Sequence, residues 1–189
     1  MNKYYTGIGR RSTPKNILKV MRQIAYIMAK KGHILRSGGA EGADTAFADG
    51  WSDALVETVD NMIESTCKAE IYLPWEDFND QCSSMEGRLI VDYTKAKQLV
   101  SKLHPVWNKL SDGVKTLHAR NMHQVLGKDL NTPSSAVIYW AQTLGNDIKG
   151  GTSTAIKLAK QHNIPTYNLY NEGVLYKWQL WIEKNKEIK

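Results

Sequence analysis

The chain has few cysteines and no long apolar run, and these absences exclude several classes of protein. Its 189 residues include only two cysteines, Cys67 and Cys82. They are too few for a disulfide framework and lack the Cys/His spacing of a zinc site. No stretch approaches about 18 consecutive apolar residues, and the first residues lack the apolar segment of a secretion signal. We therefore expect a cytoplasmic protein in a reducing compartment, with no metal, no cofactor and no membrane partner.

Linkers and internal repeats are also absent. No segment rich in Pro, Ser or Gly is long enough to mark a domain boundary, so we expect a single domain over residues 1–189. The hydrophobic content of 42% is enough for a sizeable core. The 25 Lys and Arg against 19 Asp and Glu give a net charge of +6. This mild surplus favours phosphate-bearing partners, but the chain has no dense basic run of the kind found in nucleic-acid-binding arms.

Strand-like and helix-like segments alternate along the chain. A β-prone run at residues 3–9 ends in glycines and is followed by apolar residues at helical spacing until Gly32. A second strand-like run at 33–37 is followed by a glycine turn and a helix-like segment at 45–56. Three more strand-like runs lie at residues 69–75, 134–141 and 164–170. The alternation predicts an α/β fold: a Rossmann-like, doubly wound, mostly parallel sheet of about five strands with helices on both faces.

The segment at residues 76–133 interrupts this alternation. It is long, polar and mostly helical in pattern, which predicts a helical insertion with helices near 91–103 and 114–127. A further amphipathic helix is predicted over residues 173–188. Its apolar face carries Trp178 and Trp181, which either cap the core or form an oligomer contact.

Three glycine-bearing turns follow predicted strands: TGIGRRSTP (6–14), RSGGAEGAD (36–44) and KGGTSTA (149–155). In an open parallel sheet, ligands bind in the crevice beyond the carboxyl ends of the strands. Each helix that starts there offers unpaired N–H groups and about half a positive charge. Glycine lets the backbone approach a ligand closely. The three turns together therefore predict an anion-binding crevice.

The side chains of these turns suggest particular contacts. The residues expected to contact a ligand are Gly7, Gly9, Arg10, Arg11, Ser37, Gly38, Gly39, Ala40, Gly42, Asp44, Gly150, Gly151, Thr152 and Ser153. An extended backbone would turn only one of Arg10 and Arg11 into the crevice, and Arg36 lies in the same set of turns. Asp44 either stabilises a helix N-terminus or accepts from ribose hydroxyls. The hydroxyls of residues 152–154 either cap the last helix or contact the ligand.

Two segments resemble known families. RSGGAEGADTAFADG resembles the SG-x-A-x-G-ID-x-x-A signature of the DNA-processing protein DprA, also called Smf. LHARNMHQVLGKDLNTPSSAVIYW with GGTSTAIKLAKQHNIPTYNL is similar to the second half of the LOG group of cytokinin-activating phosphoribohydrolases. The DprA and LOG families belong to the SLOG superfamily, whose Rossmann-like domain binds nucleotides or nucleotide-derived ligands. The resemblance implies that this chain binds such a ligand and that Arg120 binds the phosphate of the ligand. It also implies a homo-oligomer.

The departures from the LOG pattern concern catalysis. The motif P-G-G-x-G-T-x-x-E aligns with the segment that begins at Lys149, and Lys157 stands in place of the glutamate. The companion motif H-E-R-K reads His118, Ala119, Arg120, Asn121. Cleavage of an N-glycosidic bond needs a carboxylate to stabilise an oxocarbenium-like state and to activate water. With the motif glutamates replaced, the resemblance favours a protein that binds without turnover.

The sequence is compatible with three functions. The first is a binding module, a sensor or a sequestering protein for a nucleotide-derived molecule. The second is a DprA-like protein that binds single-stranded DNA, with Trp75 as a stacking platform. The third is a LOG-like phosphoribohydrolase, with Glu70, Glu76 or Asp77 replacing the missing carboxylates.

The histidines do not predict a metal centre. His118 and His123 are five residues apart, about 140° around a helix, so they cannot chelate one ion from a single face. We expect them to be core or surface residues.

Overall fold

The computed structural model describes residues 3–60, 67–144, 147–148 and 150–186. The strands are β1 (Tyr4–Gly9), β2 (Ile34–Ser37), β3 (Ala69–Tyr72), β4 (Arg88–Leu89), β5 (Val137–Trp140), β6 (Thr143–Leu144), β7 (Asp147–Ile148) and β8 (Thr166–Asn168). The α-helices are α1 (Lys15–Lys30), α2 (Ala43–Asp60), α3 (Thr94–Ser101), α4 (Asp112–Leu126), α5 (Gly151–Gln161) and α6 (Glu172–Asn185). A short 3₁₀ helix covers Trp107–Lys109. None of these helices is long and apolar enough to cross a membrane.

Six strands form one parallel sheet in the order β4-β3-β2-β1-β5-β8. The chain builds outward from β1 through β2 and β3 to β4, then returns to add β5 on the other side of β1. The order therefore reverses between β1 and β5, which makes this pair the topological switch point of the sheet. The predicted Rossmann-like α/β class is confirmed.

The strand count is six rather than five because β4 lies inside the segment predicted to be helical. It contains only Arg88 and Leu89, too short for an apolar run that a pattern would detect. The same segment does contain α3 and α4, close to the two helices that the sequence predicts. Strands β6 and β7 form a separate antiparallel pair between β5 and α5.

Helices cover both faces of the sheet. On one face α1, α2 and α6 pack on a core that includes Tyr5, Leu35 and Ile71. On the other face α3, α4 and α5 pack on a core that includes Val137 and Tyr139. The two tryptophans of α6, Trp178 and Trp181, are half-buried against the first core. Residues 187–189, beyond the end of α6, lie outside the described residues.

The first face depends on a close approach of α1 and α2. A Cβ at Gly50 of α2 would lie 2.0 Å from the carbonyl oxygen of Arg22 in α1. Real Cβ atoms do not come that close to backbone, so only glycine lets the two helices pack at this distance. The contact is reinforced beside it by Arg22, whose guanidinium donates to both oxygens of Asp53, at 2.6 and 2.8 Å.

The substitution Gly50→Ala tests this packing. The added methyl must push α1 away, and we expect the free energy of unfolding to fall by about 1–3 kcal/mol in urea denaturation. Gly113→Ala is the matched control, because Gly113 is also helical but a Cβ there would come no closer than 3.9 Å to its nearest described neighbours. We expect the control to keep its stability or to gain up to about 1 kcal/mol. Equal stability of wild type and Gly50→Ala would contradict the close packing.

Candidate functional site

A cavity of about 320 Å³ opens at the carboxyl ends of β1 and β5. We call it the switch-point cavity. Its lining residues are Ile8, Gly9, Arg10, Arg11, Ala40, Asp44, Val114, Leu117, His118, Arg120, Asn121, Gln124, Gly150, Gly151 and Thr152. All three predicted glycine turns contribute to this one cavity, and α4 forms its remaining wall.

The N-terminus of α5 borders the cavity without a cap. Among the described residues, no side chain caps this helix, and Gly150 before it has φ +91° with no described heavy atom within 4 Å of the position where a Cβ would stand. The first N–H groups of a helix have no intrahelical acceptor. Ser153 is not a lining residue, and its Oγ donates to the carbonyl of Gly150 at 2.7 Å. Lys149, which precedes this turn, lies outside the described residues.

Arg10 and Arg11 both contribute to the cavity wall. The sequence predicts that only one of them faces the crevice if the backbone is extended, but β1 ends at Gly9 and both arginines lie in the turn that follows. Arg10 is half-buried and donates to Oε1 of Gln142 at 3.3 Å. Arg11 is exposed. No carboxylate of the described residues lies within 4.0 Å of either guanidinium, so both positive charges are available to a ligand.

Arg120 is buried and mostly committed to the protein. Its Nη1 donates to the carbonyl of Gly38 at 2.6 Å, and its Nη2 donates to Oδ1 of Asn121 at 3.1 Å. Nη2 also lies 3.7 Å from Oδ2 of Asp44. Burial lowers the pKa of Arg120, and the charge of Asp44 opposes that shift. Arg120 therefore ties α4 to the second glycine turn and adds positive charge to the cavity wall, while its Nη groups are already bound.

Asp44 is only 4% exposed and stands at the N-terminus of α2. Burial raises the pKa of its carboxyl group, while Arg120 and the backbone N–H groups of Ala40 and Gly9 favour the ionised form. The amides of Gly9 and Ala40, which a phosphate could have used, thus face a carboxylate from the same chain.

At the start of α2 itself, the amide of Ala43 donates to the carbonyl of Arg10 at 3.4 Å. The amide of Thr45 donates to the carbonyl of Ala40 at 3.0 Å. The first N–H groups of α2 are thus satisfied by protein groups, whereas no cap side chain accepts from those of α5.

Several predicted contact residues lie behind the cavity. Ser37 donates through Oγ to the carbonyl of Gly7 at 2.7 Å, and a Cβ at Gly7 would stand 2.5 Å from the ring of Phe47. A Cβ at Gly38 would lie 2.1 Å from Nε2 of Gln124. These positions need glycine or serine for packing, and they do not line the cavity.

The rest of the second glycine turn is also held by protein groups. The carbonyl of Gly39 accepts from Nδ2 of Asn79 at 3.2 Å and from Nε2 of Gln81 at 2.8 Å. Gly42 has φ +81°, and a Cβ there would lie 2.6 Å from the carbonyl oxygen of Arg11. Only Ala40 and Asp44 of this turn line the cavity.

Arg36 is not in the crevice, which corrects the prediction that groups it with the other two turn arginines. It is 2% exposed, its Nε donates to Oε2 of Glu70 at 2.7 Å, and its guanidinium carbon lies 3.8 Å from the ring centroid of Tyr4. Its Nη1 donates to the carbonyl of Thr132. Arg36 is inside the strand β2, so its side chain points into the layer beside the sheet and stabilises the fold.

Sequence reasoning did not assign the α4 wall. Its lining residues are Val114, Leu117, His118, Asn121 and Gln124, together with the predicted Arg120. The spacing of three and four residues marks one helical face, which is a signal present in the sequence. Because that face carries apolar, amide and imidazole groups together, its hydrophobic pattern does not distinguish it from a helix face exposed to solvent.

His118 lines the cavity, whereas His123 is in the core. Nδ1 of His118 lies 3.1 Å from Oγ1 of Thr154, and its ring meets His104 with centroids 4.6 Å apart. Burial lowers the pKa of His118 to about 4, and the neighbouring His104 and Arg120 act in the same direction. The imidazole is therefore neutral at pH 7 and can only hydrogen-bond. His123 packs against Tyr72 and Tyr93, as expected of a core residue.

The other candidate acids lie away from the cavity. Glu70 pairs with Arg36, and Glu76 is exposed and accepts from the backbone N–H of Ser83 at 2.9 Å. Asp77 is also exposed and is not a lining residue. Within the described ranges, Asp44 is the one carboxylate in the wall, and no group of three or more His, Cys, Asp or Glu could hold a metal ion.

No protein-family model matches the chain, and no curated protein matches it either.

Proposed function

We propose that the switch-point cavity binds a phosphate-bearing, nucleotide-derived small molecule, and that the protein acts as a sensor or a sequestering protein rather than an enzyme. One observation carries this proposal. The uncapped N-terminus of α5 borders the same cavity as Arg10 and Arg11, two arginines that have no carboxylate of the described residues within 4.0 Å.

The phosphate fits best at α5. A helix N-terminus presents free N–H groups and about half a positive charge, a combination that binds phosphate and sulfate in many proteins. Glycines at 150 and 151 leave the backbone accessible, since nothing described stands within 4 Å of a Cβ at Gly150. A guanidinium such as that of Arg11 adds charge-assisted, bidentate hydrogen bonds. With His118 neutral, the wall holds three guanidinium groups against one carboxylate, so an anionic ligand is favoured.

The remaining wall suits the rest of a nucleotide. Ile8, Val114 and Leu117 offer apolar surface to a ring, and the amides of Asn121 and Gln124 lie on the same side. The volume of about 320 Å³ is in the range of small-molecule sites. The lining thus includes cationic groups that suit a phosphate and apolar and amide groups that suit an aromatic base, as a nucleotide-derived ligand requires.

The absence of turnover is supported by the state of Asp44. A carboxylate that activates water or stabilises an oxocarbenium-like state needs open oxygens that face the ligand. Those of Asp44 are held by Arg120 and by the amides of Gly9 and Ala40. Lys157, which replaces the motif glutamate, is exposed on α5 and does not line the cavity.

The first prediction concerns ligand-induced stability. We expect adenosine 5′-monophosphate, ADP-ribose or cyclic AMP to raise the melting temperature by about 5–10 °C when the ligand is present at about 100 times its dissociation constant. Adenosine, which has no phosphate, should give almost no shift. Arg11→Ala should weaken phosphate-dependent binding by about 10- to 100-fold, because hydrogen bonds to charged groups contribute about 1.5–3 kcal/mol.

Lys157→Ala is the matched control for Arg11→Ala. It also removes one exposed positive charge, but from a residue outside the cavity, so binding should be unchanged. The absence of any shift with every phosphate-bearing compound would contradict the proposal. A single-stranded oligonucleotide that binds tightly at about 50 mM salt and much more weakly at about 200 mM, with no response to mononucleotides, would favour DNA binding instead.

The second prediction concerns catalysis. Prolonged incubation with nucleoside 5′-monophosphates should release no free base above the uncatalysed background, as measured by chromatography. Asp44→Asn serves as the comparison, since this variant keeps the shape of the side chain and removes the charge. Base release by the wild type that disappears in Asp44→Asn would show that the carboxylate is catalytic and that the protein is an enzyme.

A further inference from the structure

Trp75 is an exposed aromatic residue just after β3, at the edge of the sheet where the cavity opens. It follows β3 by three positions and remains 43% exposed. Large aromatic side chains bury most of their surface when they serve only the core. The exposed part of the Trp75 indole lies at the edge of the sheet where the cavity opens and is accessible to a ligand there.

The indole is held in place from two sides. Its ring meets that of Phe78 edge to face, with centroids 5.3 Å apart and planes at 89°. Phe78 is buried and lies 5.8 Å from the guanidinium carbon of Arg120, which is in the cavity wall. On its other side, Cη2 and Cζ3 of Trp75 would lie 3.9 Å from a Cβ at Gly113.

Gly113 connects Trp75 to the cavity. The next residue in α4, Val114, lines the cavity and is 37% exposed. Trp75 and Val114 therefore form an apolar ledge next to the cationic cavity. Because Gly113 has no side chain, this position of α4 places no side-chain atom against Cη2 and Cζ3 of the indole.

We infer that Trp75 is a ligand-binding residue that stacks on the base of the nucleotide-derived ligand while the phosphate is held at the N-terminus of α5. This inference rests on the proposed function. Base–aromatic stacking tolerates any base, since every base has a π-face, so Trp75 contributes affinity for an aromatic ring more than for a particular base. The ledge thus selects nucleotides over sugar phosphates of the same charge.

The test compares a ligand with a base and a ligand without one. Dissociation constants are measured by calorimetry for adenosine 5′-monophosphate, ADP-ribose and ribose 5-phosphate, with wild type, Trp75→Ala and Trp75→Phe. We expect Trp75→Ala to weaken binding of the two adenine compounds by about 5- to 100-fold and to leave ribose 5-phosphate unaffected. Trp75→Phe should recover part of the loss, because it restores an aromatic face.

Tyr176→Ala is the control for loss of an exposed aromatic residue. Tyr176 is 60% exposed on α6, which packs on the other face of the sheet from α4, so its removal should change no constant. If Trp75 had only a structural role, Trp75→Ala would weaken binding of ribose 5-phosphate as strongly as binding of the adenine compounds. That result would overturn the inference. Unchanged adenine binding in Trp75→Ala would overturn it too and leave the proposed function standing. Failure of the wild type to bind any of the three would overturn both.

Discussion

The reversal of strand order between β1 and β5 is the constraint on which the site depends. Since β1 pairs with β2 on one side and with β5 on the other, the first two glycine turns leave neighbouring strands, and the third reaches the same edge after the β6–β7 pair that follows β5. Their helices diverge to opposite faces of the sheet, and a crevice opens where they part. Three turns that are distant in the chain thereby line a single cavity. No side chain in that cavity would be in position without this topology.

Within the cavity, the protein satisfies one of its own helix N-termini and leaves another open. Asp44, in the first turn of α2, lies against the amides of Gly9 and Ala40 and 3.7 Å from Arg120, so a phosphate would have to displace a buried carboxylate there. The start of α5 has glycine at its cap position, so no cap side chain accepts from its first N–H groups, and the side chain of Asn121 bonds there only to the carbonyl of Gly151, at 3.0 Å. The distinction is one of desolvation and charge. Of the three similar glycine turns, the one that starts α5 is therefore the anion site, and the other two form the wall around it.

Much of the fold is predictable from the sequence because parallel strands buried on both faces have continuous apolar runs, and the helices between them have a clear period. The 137–140 strand and the helix that buries Ile17, Met21 and Ile24 are examples. The two-residue strand β4 is not predictable in this way, because its position is decided by pairing with β3, a tertiary contact. The location of the three turns was likewise predictable, since each follows a strand.

The roles of individual turn residues were not predictable to the same extent. Gly38 and Gly9 look alike in sequence and both are close to protein atoms, Gly38 to Arg120 and Gln124 and Gly9 to Ala43, yet only Gly9 lines the cavity. Arg36 and Arg11 both flank glycines, and only the three-dimensional partners Glu70 and Tyr4 show that Arg36 belongs to the interior. A glycine is required both where a ligand approaches and where a side chain of the protein approaches. Sequence alone does not distinguish the two.

The amide resonances of α5 test the central claim most directly. In ¹⁵N-labelled protein titrated with adenosine 5′-monophosphate, the account predicts that the largest chemical-shift changes occur at the backbone N–H groups of Gly151 and Thr152, with smaller changes at Ala40 and Gly9, whose amides already bond to Asp44. Saturation of the protein with no change at Gly151 and Thr152, or with the main changes on the opposite edge of the sheet, would contradict it.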